Sequence, residues 1–241
     1  MLPSQFELEL PTHLSSLRAL ARRLVGDRDE AQDIVQEALL RAHARLSAFR
    51  GESTLKTWLF SITTRVAIDH LRGTRRWDKQ VMVDACDARG AASVAEKYGD
   101  PSISFDVRQH VSFCFTCIGR SLSPEGHAAM VLREMFNLPH EEAAKVLDVT
   151  ESVFRHTLSD ARRVMEQEYA GLCALVNKTG ACYQCKALRE LAPDGRRGPP
   201  LPEFPLPFDA RLAQARDAQV EGDVDQRLND YFFAATKRMQ K

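Results

Sequence analysis

Arg65, Arg72 and Arg76 recur at i, i+7 and i+11 in the stretch "STLKTWLFSITTRVAIDHLRGTRRW", with Arg75 and Trp77 beside the last of them. On a helix that spacing stacks three guanidinium groups on one face. Guanidinium groups on one face suit a row of phosphates, and an exposed ring beside them can stack on an unpaired base, worth about 1–3 kcal/mol per base. Asp69 stands between Arg65 and Arg72 at spacings of four and three and is placed to orient both. A solvated basic helix end would carry the same residue types. Of the two tryptophans, Trp58 shares the apolar stripe of Leu55, Leu59, Ile62 and Val66 and is assigned to the core. Trp77, flanked by Arg75, Arg76, Asp78 and Lys79, is expected to be exposed.

A second group of reactive side chains lies in "NLPHEEAAKVLDVTESVFRHTLSDARRVM". Pro139 suits a helix start, where its missing N–H costs nothing. Ala143, Ala144 and Leu147 give the first short helix an apolar face of small residues, which lets a second helix come close. Asp148 sits where a positive φ is needed, and Thr150 is a good N-cap for the helix that follows. Phe154, Leu158, Ala161 and Met165 form that helix's buried stripe. Its other face carries Glu151, Ser152, Arg155, His156, Ser159, Arg162 and Arg163, the kinds of side chain that reach base edges and phosphates from a major groove. A helical hairpin with a solvated polar face is the plainer reading. The ordered set of alanines, turn residue, cap and polar face is more specific than that.

Cysteine supplies the third chemistry. His110, Cys114 and Cys117 fall at i, i+4 and i+7, and Cys182 and Cys185 form a second C-x-x-C after Cys173. If the two pairs meet, Cys114, Cys117, Cys182 and Cys185 offer four thiolates to a closed, structural zinc site, with Cys173 and His110 as substitutes. A redox pair and simple burial are the other readings, since Cys114 continues the stripe of Val111 and Ile118. Cys86 stands alone. No cofactor is required by any of these patterns.

The elements that must position these groups are helices. Leu14, Leu17, Leu20, Ala21 and Leu24 make one stripe; Ala31, Ile34, Val35, Ala38, Leu39, Ala42 and Leu46 make a second, capped by Asp27 or Asp29; the third helix starts near Thr54. The fold expected is all-α: two helical domains joined by a flexible acidic linker, the second containing a helix-turn-helix, plus a mostly helical C-terminal tail. The boundaries expected are 1–78, linker 79–106, 107–172 and tail 173–241, with a Pro-rich stretch at 192–208. The 241 residues are 44% hydrophobic and 27% charged, as in a soluble globular protein. No run reaches the roughly 18 apolar residues of a membrane span. With no secretory pattern at its start, the chain is expected in the cytoplasm, where cysteines are reduced. Net charge is zero, but the average hides a basic helix end beside an acidic segment holding Asp84, Asp87, Glu96, Asp100 and Asp106.

Together these modules resemble a bacterial RNA polymerase sigma factor of the sigma-70 family, closest to the extracytoplasmic-function group. "DEAQDIVQEALLRAHARLSAFRGESTLKTWLFSITTRVAIDHLRGTRR" looks like that family's second domain, and "LSPEGHAAMVLREMFNLPHEEAAKVLDVTESVFRHTLSDAR" like its fourth. The resemblance implies a promoter-specificity subunit without catalysis of its own. Arg65, Asp69, Arg72, Arg75, Arg76 and Trp77 would serve the −10 element, and Ser152, Arg155, His156, Ser159 and Arg162 the −35 element. Asp33, Gln36, Glu37 and Arg41 would face the coiled coil of the polymerase β′ subunit. An anti-sigma factor is a further partner that the family suggests, and a stress- or signal-responsive regulon its target. The chain departs from the family at Thr157 and Asp160, where relatives often carry basic residues, and in its cysteine-containing extension. A helix-turn-helix regulator acting without polymerase is the alternative. A thiol-disulfide oxidoreductase is disfavoured because no strand surrounds either C-x-x-C, and no phosphate-binding glycine loop or catalytic triad pattern occurs.

Overall fold

The computed structural model describes residues 3–73, 115–117, 119–169 and 216. The expected linker 79–106, the tail from 173 apart from residue 216, Arg75, Arg76, Trp77, His110 and Cys86, Cys114, Cys173, Cys182 and Cys185 lie outside them. Every regular element among the described residues is helical, as the all-α reading requires. None is long and apolar enough to cross a membrane.

Helix α1 (Pro3–Glu9) leads through a single 3₁₀ turn into α2 (Leu14–Val25), which Gly26 ends in the left-handed region at φ 79°. Asp27 then caps α3 (Arg28–Ala44): its carboxylate accepts from the backbone N–H groups of Asp29 and Glu30, which decides between the two candidate caps. After a second 3₁₀ turn at Leu46–Ala48, Thr54 opens α4 (Leu55–Gly73), its hydroxyl accepting from the Thr57 N–H at 3.1 Å. Helices α2, α3 and α4 pack pairwise into a bundle. Leu17, Leu20, Ala21 and Leu24 are fully buried, with Ile34, Val35, Ala38 and Leu59 around them. Each such branched aliphatic side chain contributes about 1.5–3 kcal/mol over its exposed state.

The second run of helices begins at Ser123, which caps α5 (Pro124–Met130) by accepting from the Gly126 N–H at 3.0 Å. A π-helical turn, Val131–Met135, continues it and ends where Asn137 takes a positive φ of 52°. Helices α6 (His140–Leu147) and α7 (Glu151–Tyr169) follow as the helix-turn-helix. Asp148 is left-handed at φ 58°, as expected, and its N–H and that of Val149 return to carbonyls of the last turn of α6. Phe154, Leu158 and Ala161 are buried, and the ring of Phe154 lies 5.7 Å from that of His140 at the start of α6. In α6 the third buried position is Val146, with Leu147 only half-buried, because the turn at Asp148 lifts the end of the helix.

Residues 3–73 and 122–161 fall in one compact unit, and residues 115–117, 119–121, 162–169 and 216 belong to a second. Within the first unit α4 is a shared wall. One side carries Leu55, Leu59 and Val66 into the bundle, while Trp58 is half-buried on the ring of Phe49, 5.0 Å away, rather than fully in the core. The opposite side carries Thr57, Phe60, Thr64, Ala67 and Leu71, all buried, and α5 and α6 pack on the helix. Among the described residues of the second unit, Phe115, Thr116, Cys117 and Arg120 are buried.

Candidate nucleic-acid interface

Three surfaces carry the residues singled out from the sequence. The first is the flank of α4 between its two buried sides, where Arg65, Asp69 and Arg72 are exposed. Asp69 Oδ1 lies 3.6 Å from Arg72, the pairing expected at spacing three, and Asp69 Oδ2 lies 3.9 Å from Arg41 of α3. Arg65 turns instead to the helix-turn-helix: its Nη2 donates to Asp148 Oδ2 at 3.0 Å. Arg72 donates through Nε and Nη2 to Glu125 Oε1, at the start of α5. Near the N-terminal end of α4 the buried Thr57 hydroxyl donates to Glu142 Oε1 at 2.8 Å. Carboxylates thus stand where the sequence placed phosphates. Both arginine pairs are more than half exposed on the arginine side, so each contributes only about 0–1 kcal/mol. Apolar packing holds the wall together more firmly: Phe60 meets Phe136 edge-on at 5.3 Å, an arrangement worth about 0.5–1.5 kcal/mol beyond its buried area.

The second surface is the outer face of α7. Ser152, Arg155, His156 and Ser159 are exposed on it, and Arg162 is half-buried. Arg155 pairs with Glu151 and His156 Nδ1 lies 3.1 Å from Asp160 Oδ2, each one turn away along the helix. Such pairs are exposed and easily exchanged for a stronger anion. Sequence reasoning passed over Val149 and Val153, which are apolar yet 38% and 49% exposed at the leading end of this face. Their position outside the stripe of Phe154 and Leu158 was the available signal. A branched apolar side chain there suits contact with a thymine methyl group. Glu141 and Lys145 pair at 2.7 Å on the exposed side of α6. The hydrogen bond and charge of Lys145 hold the Glu141 carboxyl below its ordinary range, and Glu141 raises Lys145 in return.

The third surface is on α3. Asp33, Gln36 and Glu37 are exposed and Arg41 is half-buried, donating through Nε to Glu37 Oε1 at 2.7 Å. Leu40 is 62% exposed among them, an apolar side chain that the helical stripe does not use. It lies off the stripe of Ile34, Val35 and Ala38, a position the sequence reading did not single out.

Of the proposed metal ligands only Cys117 is described, and it is 4% exposed. Among the described residues no three His, Cys, Asp or Glu side chains are grouped to hold a metal.

The described residues form an all-helical fold in which a capped helix-turn-helix accompanies a helical module with exposed arginines. Comparison with known proteins identifies the class. Residues 11–77 match the model of sigma-70 region 2. The sigma-E factor of Escherichia coli K12, an extracytoplasmic-function RNA polymerase sigma factor, is 30% identical over 168 residues, covering 68% of this chain and 85% of that protein. The sigma-H factor of Pseudomonas aeruginosa is 27% identical over 164 residues, covering 67% and 84%. A co-crystal structure of the sigma factor RpoE with the anti-sigma factor NepR from Bartonella quintana aligns over 68% of this chain and 96% of that one, at 25% identity and a TM-score of 0.46. The chain belongs to the extracytoplasmic-function group of RNA polymerase sigma factors. It is a sigma subunit, whose partners are core RNA polymerase and promoter DNA.

Proposed function

We propose that the chain directs core polymerase to promoters with −10 and −35 elements, with each described surface serving one partner. The α4 flank, Arg65, Asp69 and Arg72 with Arg75, Arg76 and Trp77 beyond it, receives the −10 region. The face of α7 with Ser152, Arg155, His156, Ser159 and Arg162 reads the −35 element, Val153 adding apolar contact. Asp33, Gln36, Glu37, Leu40 and Arg41 dock on the β′ coiled coil. The chain has no catalytic step of its own, works in the cytoplasm beside the polymerase, serves a stress- or signal-responsive regulon, and is held in check by an anti-sigma factor.

The observation that carries this reading is the match of residues 11–77 to sigma-70 region 2, followed later in the chain by a helix-turn-helix whose outer face is exposed. A regulator acting without polymerase would have no use for the first of these. Domain boundaries at 1–78, 79–106, 107–172 and 173–241 fit the same division of labour. For the extension, zinc held by Cys114, Cys117, Cys182 and Cys185 would fix the tail to the start of the fourth domain, because binding at such sites is coupled to folding. Metal content of untagged protein tests that part.

Run-off transcription with purified core polymerase on a promoter mapped in the source genome tests the whole. Promoter-specific transcripts that require this chain are expected. A chain that binds DNA but neither co-purifies with core nor supports transcripts would overturn the reading.

A further inference from the structure

We infer that Val149 and Val153 make the −35 contact selective for thymine, recognising the 5-methyl group of an A·T pair in the major groove; this rests on the assignment of the outer face of α7 to the −35 element. Val153 is 49% exposed, and Val149, in the turn just before the helix, is 38% exposed. A single exposed valine is ordinary on a protein surface and carries no argument. These two stand four residues apart at the end of α7 that a helix-turn-helix presents to base edges.

Backbone contacts hold both residues in place. The Val149 N–H donates to the Ala144 carbonyl at 3.1 Å, and the Val153 N–H donates to Thr150 Oγ1 at 3.3 Å. Branching at Cβ leaves a helical valine one strongly preferred rotamer, so the Val153 methyl groups are positioned before a ligand arrives. Little side-chain freedom is then lost on contact.

The neighbouring side chains say what that ligand is. A helix turns about 100° per residue, which puts Val153 and Arg155 on opposite edges of the exposed face, with Ser152 and His156 between them. Arg155 offers a guanidinium to phosphate or guanine on its edge. The Val153 edge continues through Thr157 and Asp160, neither of them a cation. A carboxylate repels phosphate, so this edge suits the bases of the groove rather than the backbone. The thymine methyl is the apolar group that the major groove displays.

Holoenzyme assembled from the full chain and core polymerase tests this on a mapped promoter. Thymines of the −35 element, on either strand, are replaced one at a time by uracil, which lacks only the methyl group. At one position at least, uracil should weaken binding by wild-type holoenzyme about three- to fivefold, as expected for one lost methyl contact. Val149→Ala with Val153→Ala, the second of which raises helix propensity, should bind the thymine and uracil promoters equally. Wild-type indifference to uracil throughout, a −35 element with no A·T pair, or a uracil penalty undiminished in the double variant would overturn the methyl contact and leave −35 reading standing. Loss of affinity for core in the double variant, with no uracil effect in the wild type, would overturn it in favour of a protein interface. A −35-scrambled promoter bound as tightly as the intact one would overturn the −35 assignment on which the inference rests.

Discussion

Asp148 turns the helix-turn-helix at φ 58° and, through the same side chain, accepts from Arg65 of α4 at 3.0 Å. One residue thus fixes the local geometry of the DNA-reading motif and joins it to the arginine flank of the other helical run. Arg65→Met and Asp148→Asn should each destabilise the chain by less than about 1 kcal/mol, because the pair is exposed. Their double-mutant coupling should vanish at about 1 M salt, where screening reaches only about 3 Å. Urea unfolding at low and high salt measures it, and a coupling that survives high salt would contradict the exposed-pair account.

The start of α5 leaves no room for a side chain at Gly126. A Cβ on Gly126 would lie 2.9 Å from Ser123 Oγ and 3.4 Å from Ala161 Cβ of α7. Gly→Ala inside a helix normally gains about 1 kcal/mol in propensity. Here the added methyl displaces the capping hydroxyl, so Gly126→Ala should lower the melting temperature. Ser123→Ala, which loses only the cap, should cost about 1 kcal/mol, or about 2–4 °C. Calorimetry of both variants gives the comparison, and a more stable Gly126→Ala would refute it.

On α7, Arg155→Ala should weaken −35 recognition by about 1–3 kcal/mol if the guanidinium leaves Glu151 to bind a base edge. Core binding should not change. Transcription from wild-type and −35-scrambled promoters separates base contact from phosphate contact, since a phosphate contact would lower both equally.

For the polymerase face, Asp33→Lys with Glu37→Lys should reduce affinity for core without altering helicity, because both side chains are exposed on α3. Leu40→Ala should do the same through lost apolar contact and leave the salt dependence of binding unchanged. Titration against core with a circular dichroism control decides both. An unchanged affinity for either variant would remove those residues from the interface.

Glu141 gives a prediction in pH. Its carboxyl is held low by the hydrogen bond and charge of Lys145, so the pair's small contribution to folding is present above the ordinary Glu range. It is lost as pH falls through the lowered value. In Lys145→Ala the carboxyl should titrate at a higher pH, nearer the ordinary Glu value. Carboxyl carbon shifts followed through an acid titration would show it, and an unmoved midpoint would exclude the pairing in solution.

Much of this protein can be read from local pattern. Leu17, Leu20, Ala21 and Leu24 declare α2 through spacing alone, and all four are buried. Asp148 and Thr150 mark the turn and the start of α7 because positive φ and N-capping each select few residue types. The arginine flank follows from the seven-residue interval between Arg65 and Arg72, which any helix turns into one face. Tertiary structure decided what covers α4. Thr57, Phe60, Thr64, Ala67 and Leu71 recur at i, i+3, i+7, i+10 and i+14, a second stripe facing away from Leu55, Leu59 and Val66. Threonine and alanine are at home both in water and in a core, so composition does not say whether that stripe is covered. Only the chain's later return, with Glu142 against Thr57 and Phe136 against Phe60, makes it an interior. The same return pairs Arg65 with Asp148 rather than with Asp69, four residues away. Helical periodicity fixes which side chains share a face, whereas the partner of that face is a long-range contact that no local spacing encodes.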